Sequence, residues 1–138
     1  MVTSAPPAPC IKNNNVAAEF YIDEGCFIIE NTSATEDPLL SIARCRVVPG
    51  ATTRWHRLRD TTERYVIQSG TACVEIGNEP PTTVTTGDTV VIPPGCRQRI
   101  GNTGQADLIF LALCTPRFTP ACYEDIDDAD PLPTALNT

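Results

Sequence analysis

The sequence predicts an all-β protein with the architecture of a sandwich or a barrel. Thr, Val and Ile recur in short runs while strong helix formers are scarce, which is typical of strands. Turn signals rich in Gly, Pro and Asn separate these runs at short spacings. With 138 residues and a hydrophobic content of 41%, the chain is long enough for one domain with a sizeable core.

The N-terminal part of the chain predicts an arm followed by a hairpin. Residues 1–15 are rich in Pro, Ala and Asn, so we expect a flexible arm. Two mostly apolar runs, 18–22 and 26–30, flank a turn that contains Gly25. Glycine supplies the positive φ that a tight turn needs, so this segment predicts a β-hairpin.

The middle of the chain predicts strands whose inward faces carry polar residues. Residues 40–48 alternate between small apolar residues and arginines, and we place the apolar face inward. In the next predicted strand, residues 52–58, alternation puts His56 and Leu58 on the same face. Glu63 and Tyr65 share the inward face of the strand after that.

The last part of the chain predicts three further segments. Prolines at 93–94 interrupt the strand that precedes them because proline has no N–H for a ladder. The chain then re-enters as a strand with Gln98 facing inward. Residues 108–114 are apolar at every position, so we expect this strand to be covered on both faces. Residues 119–138 are acidic and Pro-rich and predict a tail with a disordered end.

Conserved spacings of a known family can be traced in the middle segments. Gly50, His56, Glu63 and Gly70 fit the pattern Gly-x5-His-x-His-x4-Glu-x6-Gly, with Leu58 at the second His position. These residues form the first of two motifs.

A second motif follows with the pattern Gly-x5-Pro-x-Gly-x2-His-x3-Asn. Its matching residues are Gly87, Pro93, Gly95 and Asn102, while Gln98 stands at the His position. Together the two motifs resemble those of the cupin family over roughly residues 40 to 115. The resemblance implies a double-sheet jelly-roll β-barrel, which we assign to residues 16–118.

The resemblance also implies a metal site. In cupins the motif histidines and the glutamate bind a metal, and here His56, Glu63 and Gln98 stand at three of those four positions. Leu58 removes the fourth ligand. An oxygen-rich set with one imidazole suits a divalent Mn, Fe or Zn ion.

Glu63 and Tyr65 are also candidate catalytic residues. A buried Glu63 without a partner would take up a proton because burial disfavours the anion, and it could then act as a general acid or base beside His56. The Tyr65 hydroxyl could reach the same cavity, although its ring is suited to a core.

Three functions remain open at this point. The chain could be a metal-assisted oxygenase, isomerase or lyase that acts on a small organic molecule in the barrel cavity. It could be a non-catalytic barrel that has lost its metal and binds a small molecule, or a module that pairs with partners through its sheets. The retained His56 and Glu63 favour the first function, and the changed positions 58 and 98 favour the second. The sequence favours a metal-capable cupin and leaves its status as an enzyme open.

Charge argues against nucleic acid as a partner. The net charge is −7, but five of the seventeen acidic residues follow Tyr123, where no Lys or Arg occurs. The rest of the chain is close to neutral and lacks the basic surface that phosphate binding requires.

The cysteine pattern and the hydropathy of the sequence indicate the cellular compartment. The seven cysteines include no Cys-x-x-Cys pair, which argues against a disulfide scaffold. We find neither a signal-peptide pattern nor an apolar run of membrane-spanning length, and we expect a cytoplasmic location.

The apolar segment 108–114 and the N-terminal hairpin predict a homodimer, formed through residues 18–30 and the outer sheet face.

Overall fold

The computed structural model describes residues 6–128, which form eleven strands and two short 3₁₀ turns. The 3₁₀ turns span Val16–Ala18 and Pro120–Cys122. The strands are β1 (Phe20–Ile22), β2 (Cys26–Glu30), β3 (Ser41–Val47), β4 (His56–Leu58), β5 (Thr62–Ser69), β6 (Thr71–Ile76), β7 (Thr82–Thr85), β8 (Thr89–Ile92), β9 (Gln98–Asn102), β10 (Leu108–Thr115) and β11 (Tyr123–Asp125). Residues 1–5 of the predicted arm (1–15) and residues 129–138 of the predicted tail (119–138) lie outside the described residues.

The strands form two antiparallel sheets that pack on each other. The larger sheet has the order β1-β2-β3-β10-β5-β8, and the smaller has the order β11-β4-β9-β6-β7. This confirms the prediction of an all-β, double-sheet jelly roll. In the part of the chain that the structure describes, strand pairing leaves the two sheets separate, so they do not close into one continuous hydrogen-bonded barrel.

Strand alternation builds the core between the sheets. In β5 every second residue from Glu63 to Ile67 is buried, and in β3 the inward residues Cys45 and Val47 are buried as predicted. The largest fully buried apolar side chains are Phe110, Ile67, Ile92, Ile100 and Leu108. Each such burial stabilises the fold by roughly 1.5–3 kcal/mol.

Strand β10 differs from its prediction on one face. Its burial alternates along its whole length, so one face is core and the other is only partly covered. The outer residue Leu111 lies opposite Arg44 of β3, and Leu113 lies opposite Arg64 of β5. The aliphatic stems of long side chains can shield such a surface while their charged ends stay in water. Within this chain the outer face of the apolar run is therefore only partly covered, and a subunit contact on that face stays a prediction.

The segment before His56 pairs less regularly than expected. The sequence predicted a strand over residues 52–58, but regular pairing begins only at His56. Thr53 explains this locally, because its N–H donates to the Ile100 carbonyl at 2.9 Å and its hydroxyl accepts from the Ile100 N–H at 3.0 Å. A side chain thus replaces one backbone acceptor of the ladder.

Two family-motif residues hold the backbone in place. Gly70 has a φ of +99°, and a Cβ there would lie 3.0 Å from the Asp107 carbonyl oxygen, so a larger residue would strain this turn. The Asn102 side-chain amide donates to the carbonyls of Val47 and Ala106, both at 2.8 Å. These contacts tie β9 to β3 and to the turn before β10.

Residues beyond 118 add a strand to the smaller sheet. Strand β11 pairs antiparallel with β4, which places Asp125 opposite His56. A largely buried ion pair joins Asp125 Oδ2 to Arg54 Nε at 2.6 Å. Across residues 6–128 we find no helix with the length and hydropathy needed to cross a membrane.

Candidate functional site

The four candidate residues of the sequence lie between the two sheets. Their exposed fractions are 1% for His56, 1% for Gln98, 2% for Tyr65 and 8% for Glu63. His56 and Gln98 form the cross-strand pair that joins β4 to β9, while Glu63 and Tyr65 come from β5 of the opposite sheet. Alternation along three strands thus brings the predicted ligand positions together, with Leu58 buried beside them.

The His56 ring is held in one orientation. Its Nδ1 donates a hydrogen bond to the Arg54 carbonyl at 2.7 Å. Because a carbonyl can only accept, Nδ1 carries the hydrogen and a neutral ring has its lone pair on Nε2. The ring also stacks on Tyr123, with centroids 5.2 Å apart and planes 23° apart. Nε2 is therefore the atom available to take a proton or bind a ligand.

The Glu63 carboxyl has one paired and one unpaired oxygen. The Cys114 thiol donates to Oε2 at 3.6 Å, whereas Oε1 is buried without a hydrogen-bond partner. Burial, together with the nearby charge of Glu24, raises the pKa of Glu63 to about 7. The charge of His56 and hydrogen bonding by Gln98 and Cys114 act in the opposite direction. Near neutral pH both protonation states of this carboxyl are consequently populated.

Tyr65 positions Gln98. The Tyr65 hydroxyl donates a hydrogen bond to Gln98 Oε1, and the Tyr65 ring packs against Phe110 with centroids 4.7 Å apart. Burial holds the pKa of Tyr65 well above its usual range, so the phenol remains a donor. The amide oxygen of Gln98 is thereby engaged.

The donor atoms fit a divalent ion only in part. His56 Nε2 and Glu63 Oε1 can both donate a lone pair, but Gln98 Oε1 already accepts from Tyr65. Within residues 6–128 no cluster of three or more His, Cys, Asp or Glu side chains has the arrangement of a metal site. Two free donors are fewer than the three protein ligands of a typical catalytic zinc, so the set does not fit a tightly bound ion.

The site contains two residues that sequence reasoning missed. Glu24 lies in the turn between β1 and β2 and places Oε1 3.8 Å from His56 Nε2. Its carbonyl accepts from the Arg54 N–H at 2.8 Å, which ties the hairpin to the backbone next to His56. Tyr123 is the second missed residue. An acidic hairpin turn and a lone aromatic before an acidic tail carry no signal that links them to a distant histidine.

An open cavity of about 1030 Å³ reaches the site from the hairpin side. Of the predicted site residues only Glu63 lines it. Tyr123 lines it as well, which places the His56 ring beneath the Tyr123 ring. The other walls combine apolar side chains, thiols and carboxylates. The cavity therefore gives a bound molecule direct access to Glu63.

Sequence comparison connects this architecture to one family. The family model described as Cupin domain matches residues 43–114, which is just over half of the chain. No curated protein sequence matches the chain.

Several solved structures share the fold. KdgF from a Halomonas species superposes with a TM-score of 0.71 at 17% identity, covering 80% of this chain and 96% of its own. A predicted oxalate decarboxylase from Thermotoga maritima has a TM-score of 0.62 at 25% identity, covering 66% and 80%. A Streptomyces Pac13 structure with uridine has a TM-score of 0.69 at 14% identity, covering 86% and 93%. These similarities establish the fold of the chain.

Proposed function

Because this chain belongs to the cupin family, we propose that it binds a small organic molecule between its sheets and that Glu63 and His56 transfer protons there. The observation that supports this proposal is Glu63 Oε1, a buried oxygen without a partner in a residue that lines the cavity. A polar group is costly to bury unpaired. Such a group is expected where a substrate supplies the missing contact.

Glu63 suits the role of the proton donor. A general acid works best when its pKa is close to the operating pH, and the pKa of Glu63 is raised to about 7. The Cys114 thiol holds Oε2, so Oε1 is the oxygen that can carry a proton to a ligand.

His56 suits the role of the proton acceptor. The Arg54 carbonyl fixes the hydrogen on Nδ1, and the resulting imidazolium would be stabilised by that carbonyl and by Glu24, whose Oε1 lies 3.8 Å from Nε2. The reaction class that uses such a pair is an isomerisation or an elimination next to a carbonyl group. Tyr123 covers the His56 ring, and His56 does not itself line the cavity. His56 would therefore take the proton from carbon once Tyr123 moves aside, and Glu63 would give one to the oxygen that becomes a hydroxyl or leaves as water. Pac13, which shares the fold, is described as a nucleoside dehydratase.

A divalent Mn, Fe or Zn ion remains part of the proposal as a weakly held addition. His56 Nε2 and Glu63 Oε1 would hold it, with Gln98 as a third donor if the contact from Tyr65 were given up. When bound, the ion would polarise an oxygen of the substrate. Proton transfer by His56 and Glu63 does not require it.

Hydrogen exchange in D₂O tests the proposed chemistry. The protein is incubated with dihydroxyacetone, pyruvate or aminoacetone, and proton NMR follows the loss of the C–H signal next to the carbonyl. We expect exchange above the buffer rate for at least one compound, reduced about 100-fold or more in His56→Gln and in Glu63→Gln. Glu79→Gln on the exposed loop between β6 and β7 is the control.

Absence of exchange would contradict the catalytic part of the proposal. If one of these compounds still binds in titration calorimetry, the protein is the non-catalytic binding cupin. The changed family positions at Leu58 and Gln98 are the observation that favours this second function.

The cytoplasm is the compartment we propose. All seven cysteines are free thiols, and Cys26, Cys45, Cys114 and Cys122 are buried. Unpaired cysteines in this number are typical of a reducing environment.

A further inference from the structure

We propose that the cavity selects small organic cations, whose ammonium or guanidinium group is held by the carboxylates of Glu24 and Glu63. This inference rests on the proposed binding function and specifies its ligand class. Both residues line the cavity, and the charge of Glu24 acts on Glu63 strongly enough to raise its pKa. Both carboxyl groups therefore belong to the wall of the same cavity.

The charged residues of the cavity wall are mostly acidic. Two arginines also line it, and both are engaged. Arg117 donates to three backbone carbonyls at 2.6 to 3.0 Å, and Arg59 donates to the Ala121 carbonyl and lies 3.4 Å from Glu124. The acidic lining residues are Asp23, Glu24, Glu30, Glu63, Glu124 and Asp125.

In the described residues, the acids nearest the hairpin form no ion pair with Lys or Arg. Glu124 is paired with Arg57, and Asp125 is paired with Arg54. Among the ion pairs of residues 6–128, no Lys or Arg pairs with Asp23, Glu24, Glu30 or Glu63. His56 Nε2 lies 3.8 Å from Glu24 Oε1 and could offset its charge when the ring is protonated. The wall thus carries uncompensated negative charge.

The unpaired oxygen of Glu63 indicates which functional group a bound ligand carries. Glu63 is only 8% exposed, and its Oε1 has no hydrogen-bond partner. An ammonium group offers three N–H donors and a positive charge, so it can satisfy Glu63 Oε1 and Glu24 together. A carboxylate ligand offers no donor and adds a third negative charge, so it should be rejected.

The apolar part of the wall favours an organic cation over a bare ion. Phe20, Ile22 and Ile28 line the cavity beside the carboxylates, and its volume of about 1030 Å³ is that of a pocket for an organic ligand. An amine with a compact apolar body would use both parts of this surface, whereas a metal ion would leave the apolar part empty.

Three aromatic probes of similar size and different charge test the inference by titration calorimetry. They are benzylamine, benzyl alcohol and benzoate, measured with the full chain at pH 7.5. We expect benzylamine to bind about tenfold more tightly than benzyl alcohol and benzoate to bind most weakly. Glu24→Gln and Glu63→Gln should each weaken benzylamine about tenfold while changing benzyl alcohol little. Glu79→Gln, on the exposed loop between β6 and β7, should leave all three unchanged.

Thermal unfolding of each variant shows that a loss of binding is not a loss of folding. Equal or tighter binding of benzyl alcohol or benzoate would overturn the charge selectivity, yet it would leave the cavity as a binding site. Benzylamine binding that is unaffected by either substitution would overturn the assignment to Glu24 and Glu63. If none of the probes binds, the inference fails, while hydrogen exchange still decides the proposed proton transfer separately.

Discussion

The hydroxyl of Tyr65 donates a hydrogen bond to the side-chain oxygen of Gln98, and both residues are almost fully buried. The contact joins β5 of the larger sheet to β9 of the smaller sheet beside the His56 ring. It engages the atom that would otherwise be a third metal ligand. One bond thus links the packing of the two sheets to the chemistry of the site.

Removing that hydroxyl should destabilise the fold. Tyr65→Phe leaves Gln98 Oε1 buried without its phenol donor, so the free energy of unfolding should fall by about 1–3 kcal/mol. Urea unfolding measures this change. Tyr21→Phe is the matched control because Tyr21 is 60% exposed, and its unfolding free energy should hardly change. Equal stability of the two variants would show that the contact contributes nothing.

Glu63 should make stability depend on pH. Its pKa rises from 4.5 to about 7 on folding, so the folded state binds a proton more tightly than the unfolded state. The free energy of unfolding should therefore fall as the pH rises from about 4.5 to 7, by up to about 3 kcal/mol. In urea unfolding at pH 5 and pH 8, Glu63→Gln should lose this part of the dependence and Glu79→Gln should keep it. A pH profile that is identical in Glu63→Gln and the parent would contradict the assignment.

A second imidazole next to His56, on β4 or on β9, should improve metal binding. Leu58 shares the buried face of β4 with His56, whereas Arg57 between them pairs outward with Glu124. Leu58→His and Gln98→His should each raise the affinity for Mn or Zn in titration calorimetry, and Arg57→His should not. Binding should weaken as pH falls because the ligands must lose their protons. If neither substitution nor the pair increases bound metal, the donors do not converge on an ion.

The ion pair between Asp125 and Arg54 should anchor β11 over His56. Its side chains are 7% and 15% exposed, and breaking a largely buried pair costs about 3 kcal/mol. Asp125→Asn should therefore lower the unfolding free energy and loosen Tyr123 against His56, seen as a shift of the His56 ring signals in NMR. Glu124→Gln affects a more exposed pair with Arg57 and should have much less effect on both readouts.

The predicted homodimer also remains to be measured. Phe20 and Tyr21 in the edge strand β1 are 46% and 60% exposed, which is a surface that a second copy could cover. Light scattering at micromolar concentration should report a dimer, and Tyr21→Asp should shift it toward monomer. A parent protein that is monomeric under these conditions contradicts the prediction.

Local signals in the sequence were enough to predict the inner faces of the strands. Alternation in β3 and β5 placed Cys45 and Tyr65 inward because side chains of a strand point to opposite faces by geometry alone. Composition was less informative for β10, where the apolar run predicted two covered faces but burial within this chain alternates. The cover on its outer face depends on the side chains of neighbouring strands, which are distant in sequence.

The sequence by itself determined that His56, Glu63 and Gln98 would face the interior, since each position follows from strand period and motif spacing. Only the tertiary structure decided which groups surround them. The β1–β2 hairpin carries Glu24 to within 3.8 Å of His56, β11 lays Tyr123 on the same ring, and Tyr65 engages Gln98 across the two sheets. These neighbours come from separate strands and turns, and their distances depend on how two sheets pack, which no local pattern of residues encodes.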